Sequence, residues 1–203
     1  MRTILILLVA LVSFSANAKT KYHNGEIIYI DGKTKVGLVG MMEDGGDEFI
    51  KFKASESAEV EKIESEKLTR IIYKIDDEAY EFHRIKVNVG WKAKVKIKGP
   101  GWLQVVQKGY ATLYINVIVM SNRDFYGTNS ATFKDYYIKR DSDEAAKMIA
   151  TIASANNNQT FRANGPIFFA DYPELAEKIQ SKEYTWKDLF DVVDMYNEWA
   201  TNK

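Results

Sequence analysis

The chain has 203 residues, with 28 Lys and Arg against 28 Asp and Glu, and it contains no cysteine. This neutral balance gives no overall attraction to nucleic acid or to an anionic membrane, so nucleic acid is not expected as a partner and a membrane partner needs a local basic patch. The lack of cysteine excludes disulfides, thiolate metal sites, cysteine nucleophiles and lipoprotein-type acylation.

The first eighteen residues predict a secretory signal peptide. Arg2 supplies a short positive region, Ile4 to Val12 is almost unbroken apolar sequence, and Ala16-Asn17-Ala18 forms a small-x-small cleavage site before Lys19. The apolar run is too short to span a bilayer as a stable anchor; the alternative is a buried N-terminal helix. We expect a mature chain of 185 residues that is periplasmic, outer-membrane-associated or secreted, with no transmembrane segment.

Residues 19–140 predict an antiparallel β region, either a sandwich or an open barrel. Three pairs of runs flank turn-forming residues, a pattern typical of β-hairpins. These pairs are Glu26–Ile30 with Lys35–Met41, Thr69–Ile75 with Ala79–Val87, and Trp102–Gln107 with Ala111–Met120. Single strands are predicted at Phe49–Lys53, Val60–Ile63 and Phe133–Lys139, and the polar stretch 121–132 predicts a mobile loop.

A strand with regularly spaced lysines is the sharpest candidate for a binding site. Period-two alternation places the lysines on one face, about 6.6–7 Å apart, until Gly99-Pro100-Gly101 breaks the strand. The candidate binding residues are these four lysines and the two tryptophans that flank them: Lys92, Lys94, Lys96, Lys98, Trp91 and Trp102. They suit an anionic envelope glycan or lipid, with the indoles stacking on sugar rings or lying at a membrane interface. The alternative is a solvated edge strand that uses lysine to discourage association.

Residues 141–203 predict a cluster of about three helices packed on the β region, and the fold class is therefore α+β. A capping box at Asp141 and apolar residues at 3/4 spacing predict a first helix over 141–152. Asn164-Gly165-Pro166 predicts a break, Pro173 lies in the first turn of a second helix, and Thr185 begins the last. The β region and the helices form either one domain or two.

Several segments carry a resemblance to a known group of proteins. They are the early hairpin Gly25–Gly40, the 102–114 hairpin, Tyr136–Lys139 and the tail that begins with Phe169–Ile179. Together they resemble uncharacterised exported proteins of Bacteroidetes-type bacteria. The resemblance implies export and a β-then-α layout, and it brings no activity.

A search for catalytic or metal-binding patterns finds none. The only histidines, His23 and His83, are far apart in sequence, and no Gly-x-Ser-x-Gly elbow or glycine-rich nucleotide loop is present. Acidic residues recur along the last helix, from Asp188 to Glu198, where a solvated helix face is the better explanation. No catalytic residue, metal or cofactor is therefore predicted.

The sequence favours an exported, non-enzymatic envelope or secreted protein that binds a ligand or acts as a scaffold. Its partner would be an anionic envelope glycan or lipid, or another envelope protein. The alternative is a hydrolase of glycan or another envelope polymer that uses a carboxylate pair contributed by distant strands.

Overall fold

A computed structural model describes residues 20–42, 46–89, 96–124, 127–152 and 158–203. It shows a ten-stranded, mostly antiparallel sheet and three C-terminal helices, which confirms the predicted α+β class. The strands are β1 (Tyr22–Tyr29), β2 (Thr34–Gly40), β3 (Phe49–Lys53), β4 (Glu61–Glu64), β5 (Leu68–Ile75), β6 (Glu78–Val89), β7 (Lys96–Gln107), β8 (Ala111–Asp124), β9 (Gly127–Arg140) and β10 (Ala146–Ile152). The helices are α1 (Asn158–Phe168), α2 (Pro173–Gln180) and α3 (Leu189–Thr201). In this described part of the chain, no helix has the length and apolar character needed to cross a bilayer.

Strand β6 joins two parts of the sheet. The strand order is β10-β9-β8-β7-β6-β5-β1-β2-β3-β4, with a further pairing between β10 and β6. The first half of β6 pairs with β5, as in Arg70↔His83, and its second half pairs in parallel with β10, as in Ala146↔Val87. Strands β6 to β10 therefore close into a five-stranded ring, and β1 to β5 extend from it as a second, antiparallel part.

Local turn chemistry explains the hairpins, which the structure confirms. Gly32, in the β1–β2 turn, has a φ of 82°, which costs little without a Cβ atom. Asp76 and Asp77 have φ values of 49° and 65°, as expected for a type I′ turn between β5 and β6. Short polar Asp side chains tolerate this left-handed region better than most residues.

The predicted break at Gly99-Pro100-Gly101 is wrong, because β7 continues through it. The ladder with β6 pairs Val87 with Lys98 and Ile85 with Gly101, so its register shifts between Ile85 and Val87. Gly99 and Pro100 fall in this irregularity, outside the paired positions. A proline has no N–H to donate, and a bulge is one of the few places in a sheet where that loss is tolerated.

The predicted mobile loop at residues 121–132 is also wrong. Strand β8 runs to Asp124 and β9 begins at Gly127, and the ladder between them is continuous from Ala111↔Arg140 to Asp124↔Gly127. A regular antiparallel ladder satisfies the backbone groups whatever the polarity of the side chains. The polar composition therefore did not indicate irregular backbone.

Residues 146–152 form strand β10 and not the predicted helix. The register against β9 shifts between Met148 and Ala150, and this bulge leaves Ala146, Ile149 and Ala150 buried. Those positions are related as i, i+3 and i+4, which is the spacing of a helix face. The bulge thus produces a helix-like apolar pattern in a strand. As a result, the predicted boundary between the β region and the helical region, at residue 140, assigns one strand of the ring to the helical region.

The helical segment confirms the predictions made from the sequence only in part. Asn164-Gly165-Pro166 lies inside α1 instead of breaking it, and a Cβ atom at Gly165 would lie 3.2 Å from the Cγ2 atom of Ile179 on α2. Pro173 is in the first turn of α2, as predicted. Thr185 and Asp188 form a capping box, in which the Thr185 N–H donates to Asp188 Oδ2 at 2.8 Å, and a short 3₁₀ turn over 186–188 then leads into α3.

The buried side chains form three groups that follow this division. The first combines one face of β1 to β5 with Trp102 of β7: Ile27, Val39, Ile50, Phe52, Ile63, Leu68, Ile71, Tyr73 and Trp102. The second lies within the ring: Leu103, Tyr114, Tyr137 and Ala146. The third and largest lies between β8–β10 and the helices, and includes Leu113, Ile138, Ile149, Phe161, Phe169 and Tyr196. The helices therefore pack against the outside of the ring.

Candidate functional site

A cleft of about 360 Å³ opens where the β1–β5 part meets the β6–β7 hairpin. It falls within the size range of small-ligand sites. Its lining comes from four separate segments of the chain: Gly46, Asp47, Glu48, Phe49, Glu64, Ser65, Glu66, Arg84, Pro100 and Trp102. We refer to it below as the acidic cleft.

Ser65 holds the walls of the acidic cleft together. Its backbone N–H donates to the Glu48 carbonyl at 2.8 Å, and its hydroxyl donates to the Asp47 carbonyl. The same hydroxyl accepts a hydrogen bond of 3.2 Å from the Trp102 indole N–H. Ser65 and Trp102 are each only 3% exposed, so these bonds are shielded from water. They connect the entry to β3, the 3₁₀ turn at residues 65–67, and β7.

Arg84 is the unusual side chain in the acidic cleft. It lies on β6, directly across the ladder from Trp102, and it is partly buried. Within the described residues, its guanidinium makes no hydrogen bond and no ion pair. A guanidinium presents five donors in a planar fork, and a partly buried one is normally paired with a carboxylate or a carbonyl.

The other charged groups of the acidic cleft are carboxylates. Asp47 and Glu48 come from the segment before β3, and Glu64 and Glu66 lie at the end of β4 and in the following 3₁₀ turn. Glu64 is already paired with Lys67 at 2.9 Å, an exposed contact of little energetic weight. The acidic cleft thus has a cationic wall from β6 and an anionic wall from the β3–β4 region.

The predicted lysine strand lies partly beside this cleft. Trp91, Lys92 and Lys94 lie outside the described residues. Lys96 is the first residue of β7 and pairs with Val89, while Lys98 pairs with Val87 and is exposed. Pro100, two residues further along, already lines the acidic cleft.

Trp102 is placed differently from the sequence-based expectation. Its indole is buried with the side chains of β1 to β5, and its N–H is taken by Ser65. A ring that is 3% exposed is not available to stack on a sugar or to enter a membrane interface. Trp102 instead gives the acidic cleft a rigid edge.

A polar network of titratable side chains surrounds His83. His83 Nε2 lies 2.6 Å from Glu81 Oε1, and its Nδ1 lies 3.1 Å from the Tyr114 hydroxyl. A neutral imidazole that carries its proton on Nε2 satisfies both contacts, by donating to Glu81 and accepting from Tyr114. Lys108 also donates to Glu81, and Arg70 lies 3.6 Å from it.

This network fits a structural role better than a catalytic one. Burial raises the pKa of Tyr114 to about 12, so its hydroxyl stays protonated. Tyr114 is 4% exposed and packs with Leu103 and Tyr137 inside the ring, where a substrate has no access. In the ranges that the structure covers, no three His, Asp or Glu side chains come together as a metal site would require.

A second cleft, of about 430 Å³, lies at the end of α3 beside Tyr172 and Trp199. The two rings stack on each other with centroids 4.7 Å apart, and Lys203 Nζ lies 4.7 Å from the Trp199 centroid. These aromatic faces already have partners from the chain itself. The second cleft is therefore a weaker candidate than the acidic cleft.

Sequence reasoning identified Trp102 but missed Arg84, Glu48 and Glu66. These residues lie in ordinary strand and turn patterns, and nothing local in the sequence marks them. Their proximity depends on long-range pairings, such as β5 with β6 and β6 with β7.

Comparisons with protein-family models, with curated proteins and with solved structures found no match for this chain.

Proposed function

We propose that this chain is an exported, non-enzymatic binding protein of the cell envelope and that its ligand occupies the acidic cleft. The signal-peptide pattern of residues 1–18 supports export. The observation that carries the binding role is Arg84, a partly buried residue that lines a cleft of ligand size and whose guanidinium has no partner among the described residues.

A partly desolvated charge gives up hydration, and it recovers that free energy only when an anionic or carbonyl partner binds. A bidentate contact from Arg84 to a carboxylate or phosphate would supply such a partner. An anionic group on an envelope glycan or lipid fits this requirement, and exposed Lys98 nearby adds positive charge.

The test is retention of envelope material by the mature protein. Glu66 is exposed and lines the acidic cleft, so Glu66→Trp fills the cleft without disturbing the core. We expect the wild-type protein to retain a glycan or lipid from its own envelope fraction and Glu66→Trp to lose it. Glu177→Trp, at an exposed position on α2, is the matched control and should behave as wild type. Equal retention by all three proteins would refute the proposal.

A glycan hydrolase is the second candidate, because four acidic residues line one cleft: Asp47, Glu48, Glu64 and Glu66. Glycosidases need two carboxyl groups on opposite sides of the scissile bond. Release of reducing ends from envelope polysaccharide, abolished by Glu48→Gln or Glu66→Gln, would favour the hydrolase over the binding protein.

A further inference from the structure

We infer that the acidic cleft recognises a zwitterionic group, in which one small ligand carries both an anion for Arg84 and a protonated amine for the facing carboxylates. This inference rests on the proposed function only in taking the acidic cleft as the binding site. Its basis is that opposite charges line one cleft without pairing across it.

The charge balance excludes simpler ligands. Glu64 is already paired with Lys67, but Glu48 and Glu66 alone outnumber Arg84 in the acidic cleft, so a purely anionic ligand would meet more like charge than opposite charge. A purely cationic ligand would leave Arg84 without a partner and bring a like charge close to it. A ligand with both charges satisfies both walls.

The backbone positions of the two walls are fixed by buried contacts. Arg84 is fixed on β6 opposite Trp102, and Trp102 is bonded to Ser65 at 3.2 Å. Ser65 in turn holds the Glu48 backbone at 2.8 Å. This chain of contacts links the cationic and anionic walls through buried groups, and the space between them is left for a ligand.

The remaining lining suits a short carbon chain between the two charges. Pro100 and the edge of Trp102 are apolar, and Phe49 is 49% exposed beside them. Two ligand chemistries combine an amine, a short apolar link and an anion: the ends of a small peptide, and an amine-bearing phosphate such as a phosphoethanolamine headgroup. They share the recognition that we propose, and the probes below distinguish them.

The experiment is an NMR titration of the mature protein with glycylglycine and with O-phosphorylethanolamine at millimolar concentrations. Two blocked peptides, N-acetylglycylglycine and glycylglycinamide, each remove one charge. We expect at least one zwitterion to bind, with shifts centred on Glu48, Ser65 and Arg84, and we expect both blocked peptides to bind more weakly.

Variants test each wall separately. Arg84→Gln should weaken the zwitterion by about tenfold or more, because a charged hydrogen bond is lost, and Arg84→Lys should weaken it less. Glu66→Gln and Glu48→Gln should weaken the zwitterion and glycylglycinamide, which keeps the amine, but should not weaken N-acetylglycylglycine, which has no amine. Lys86→Gln, on the same strand but paired with Glu144 at 3.0 Å, is the control and should change nothing.

The outcomes separate this inference from the proposed function. If neither zwitterion binds, or if blocking one charge has no effect, the inference is wrong even when Glu66→Trp abolishes retention of envelope material. If Glu66→Trp leaves that retention unchanged, the proposed function is wrong. If Arg84→Gln lowers the thermal midpoint, the Arg84→Lys and Glu66→Gln titrations still decide the inference.

Discussion

At the residue scale, Asn197 is the polar link between the helices and the ring. This buried residue of α3 accepts from the Ala111 N–H at 2.7 Å and donates to the Ala111 carbonyl at 3.1 Å. Gly109 makes room for it, since a Cβ atom there would come within 2.2 Å of the Asn197 amide nitrogen. Both backbone groups at the start of β8 thus depend on one side chain.

Asn197→Ala is expected to lower the free energy of unfolding by about 1–3 kcal/mol, because it leaves a buried N–H and a buried carbonyl without partners. Chemical denaturation measures this change. Asn202→Ala, at an exposed position just after α3, is the control and should cost little. Equal stability of the two variants would contradict the bridging role.

The His83 network makes stability depend on pH. Burial lowers the pKa of His83, against the opposing effect of Glu81. Burial acts to raise the pKa of Glu81, but hydrogen bonds from Lys108 and His83 outweigh it, and that pKa is lowered overall. In both cases the unfolded chain takes up a proton at a higher pH than the folded chain does, so acidification favours unfolding.

We expect the thermal midpoint to fall as the pH drops below about 6.5, where His83 in the unfolded chain begins to protonate. A second fall should follow below about 4.5, as Glu81 does the same. Thermal melts of the wild-type protein and His83→Gln between these values measure the effect. The variant should lose the upper part of the dependence, and a variant that retains all of it would show that His83 is not the cause.

At the element scale, the hairpins were predictable because their information is local. Asp-Gly and Asp-Asp set positive φ angles in their turns, and the flanking residues alternate. Strand β10 was not predictable in the same way, because its bulge against β9 buries Ile149 and the adjacent Ala150. That pairing is a property of the assembled ring, and the local pattern resembled a helix.

The candidate site was also predictable only where the information is local. Period-two alternation found the strand that carries Lys98 and leads to Trp102, although it did not predict that Trp102 is buried. Arg84 and Glu66 belong to the site only because β6 and the 3₁₀ turn after β4 meet in three dimensions. Neither the type of these residues nor their spacing in the sequence indicates that they are neighbours in the fold.

The lysine strand can be tested independently of the acidic cleft. We expect Lys92→Glu/Lys96→Glu to weaken binding to anionic vesicles or polysaccharide, because two cations of the lysine-rich segment 92–98 become anions. Co-sedimentation at low and high salt measures this effect. Lys62→Glu/Lys187→Glu, which changes the net charge equally at exposed positions, is the control. Equal binding by the two double variants would argue for a solvated edge strand.

At the scale of the whole molecule, the helices and β10 complete the ring. Arg140, at the end of β9, donates to the Tyr196 hydroxyl at 2.7 Å, to the Phe168 carbonyl at 2.6 Å and to Asp171 at 3.0 Å. Its guanidinium carbon also lies 4.1 Å from the Phe168 ring centroid. One side chain thus connects the sheet to α1, to α3 and to the segment between α1 and α2.

Truncation after Arg140 is expected to lower the thermal midpoint strongly or to abolish cooperative unfolding. The truncated chain lacks β10, which pairs with both β9 and β6, and it exposes the largest group of buried side chains. Differential scanning calorimetry against the full mature chain measures the loss. An unchanged midpoint would show that the helical segment does not support the sheet.

Export is a separate prediction at this scale. Mass spectrometry of the protein isolated from its host should give a chain that begins at Lys19, because Ala16-Asn17-Ala18 fits signal peptidase cleavage. Recovery of the uncleaved chain from the cytosol would overturn this prediction and the envelope role with it.

The sharing of β6 limits how the molecule can be divided by recombination or protein engineering. One edge of that strand is occupied first by β5 and then by β10. A graft of β1 to β5 without β6 would leave β5 with a bare edge, and a graft of the ring without β6 would leave it open between β7 and β10. Any transplant of either half must therefore carry β6.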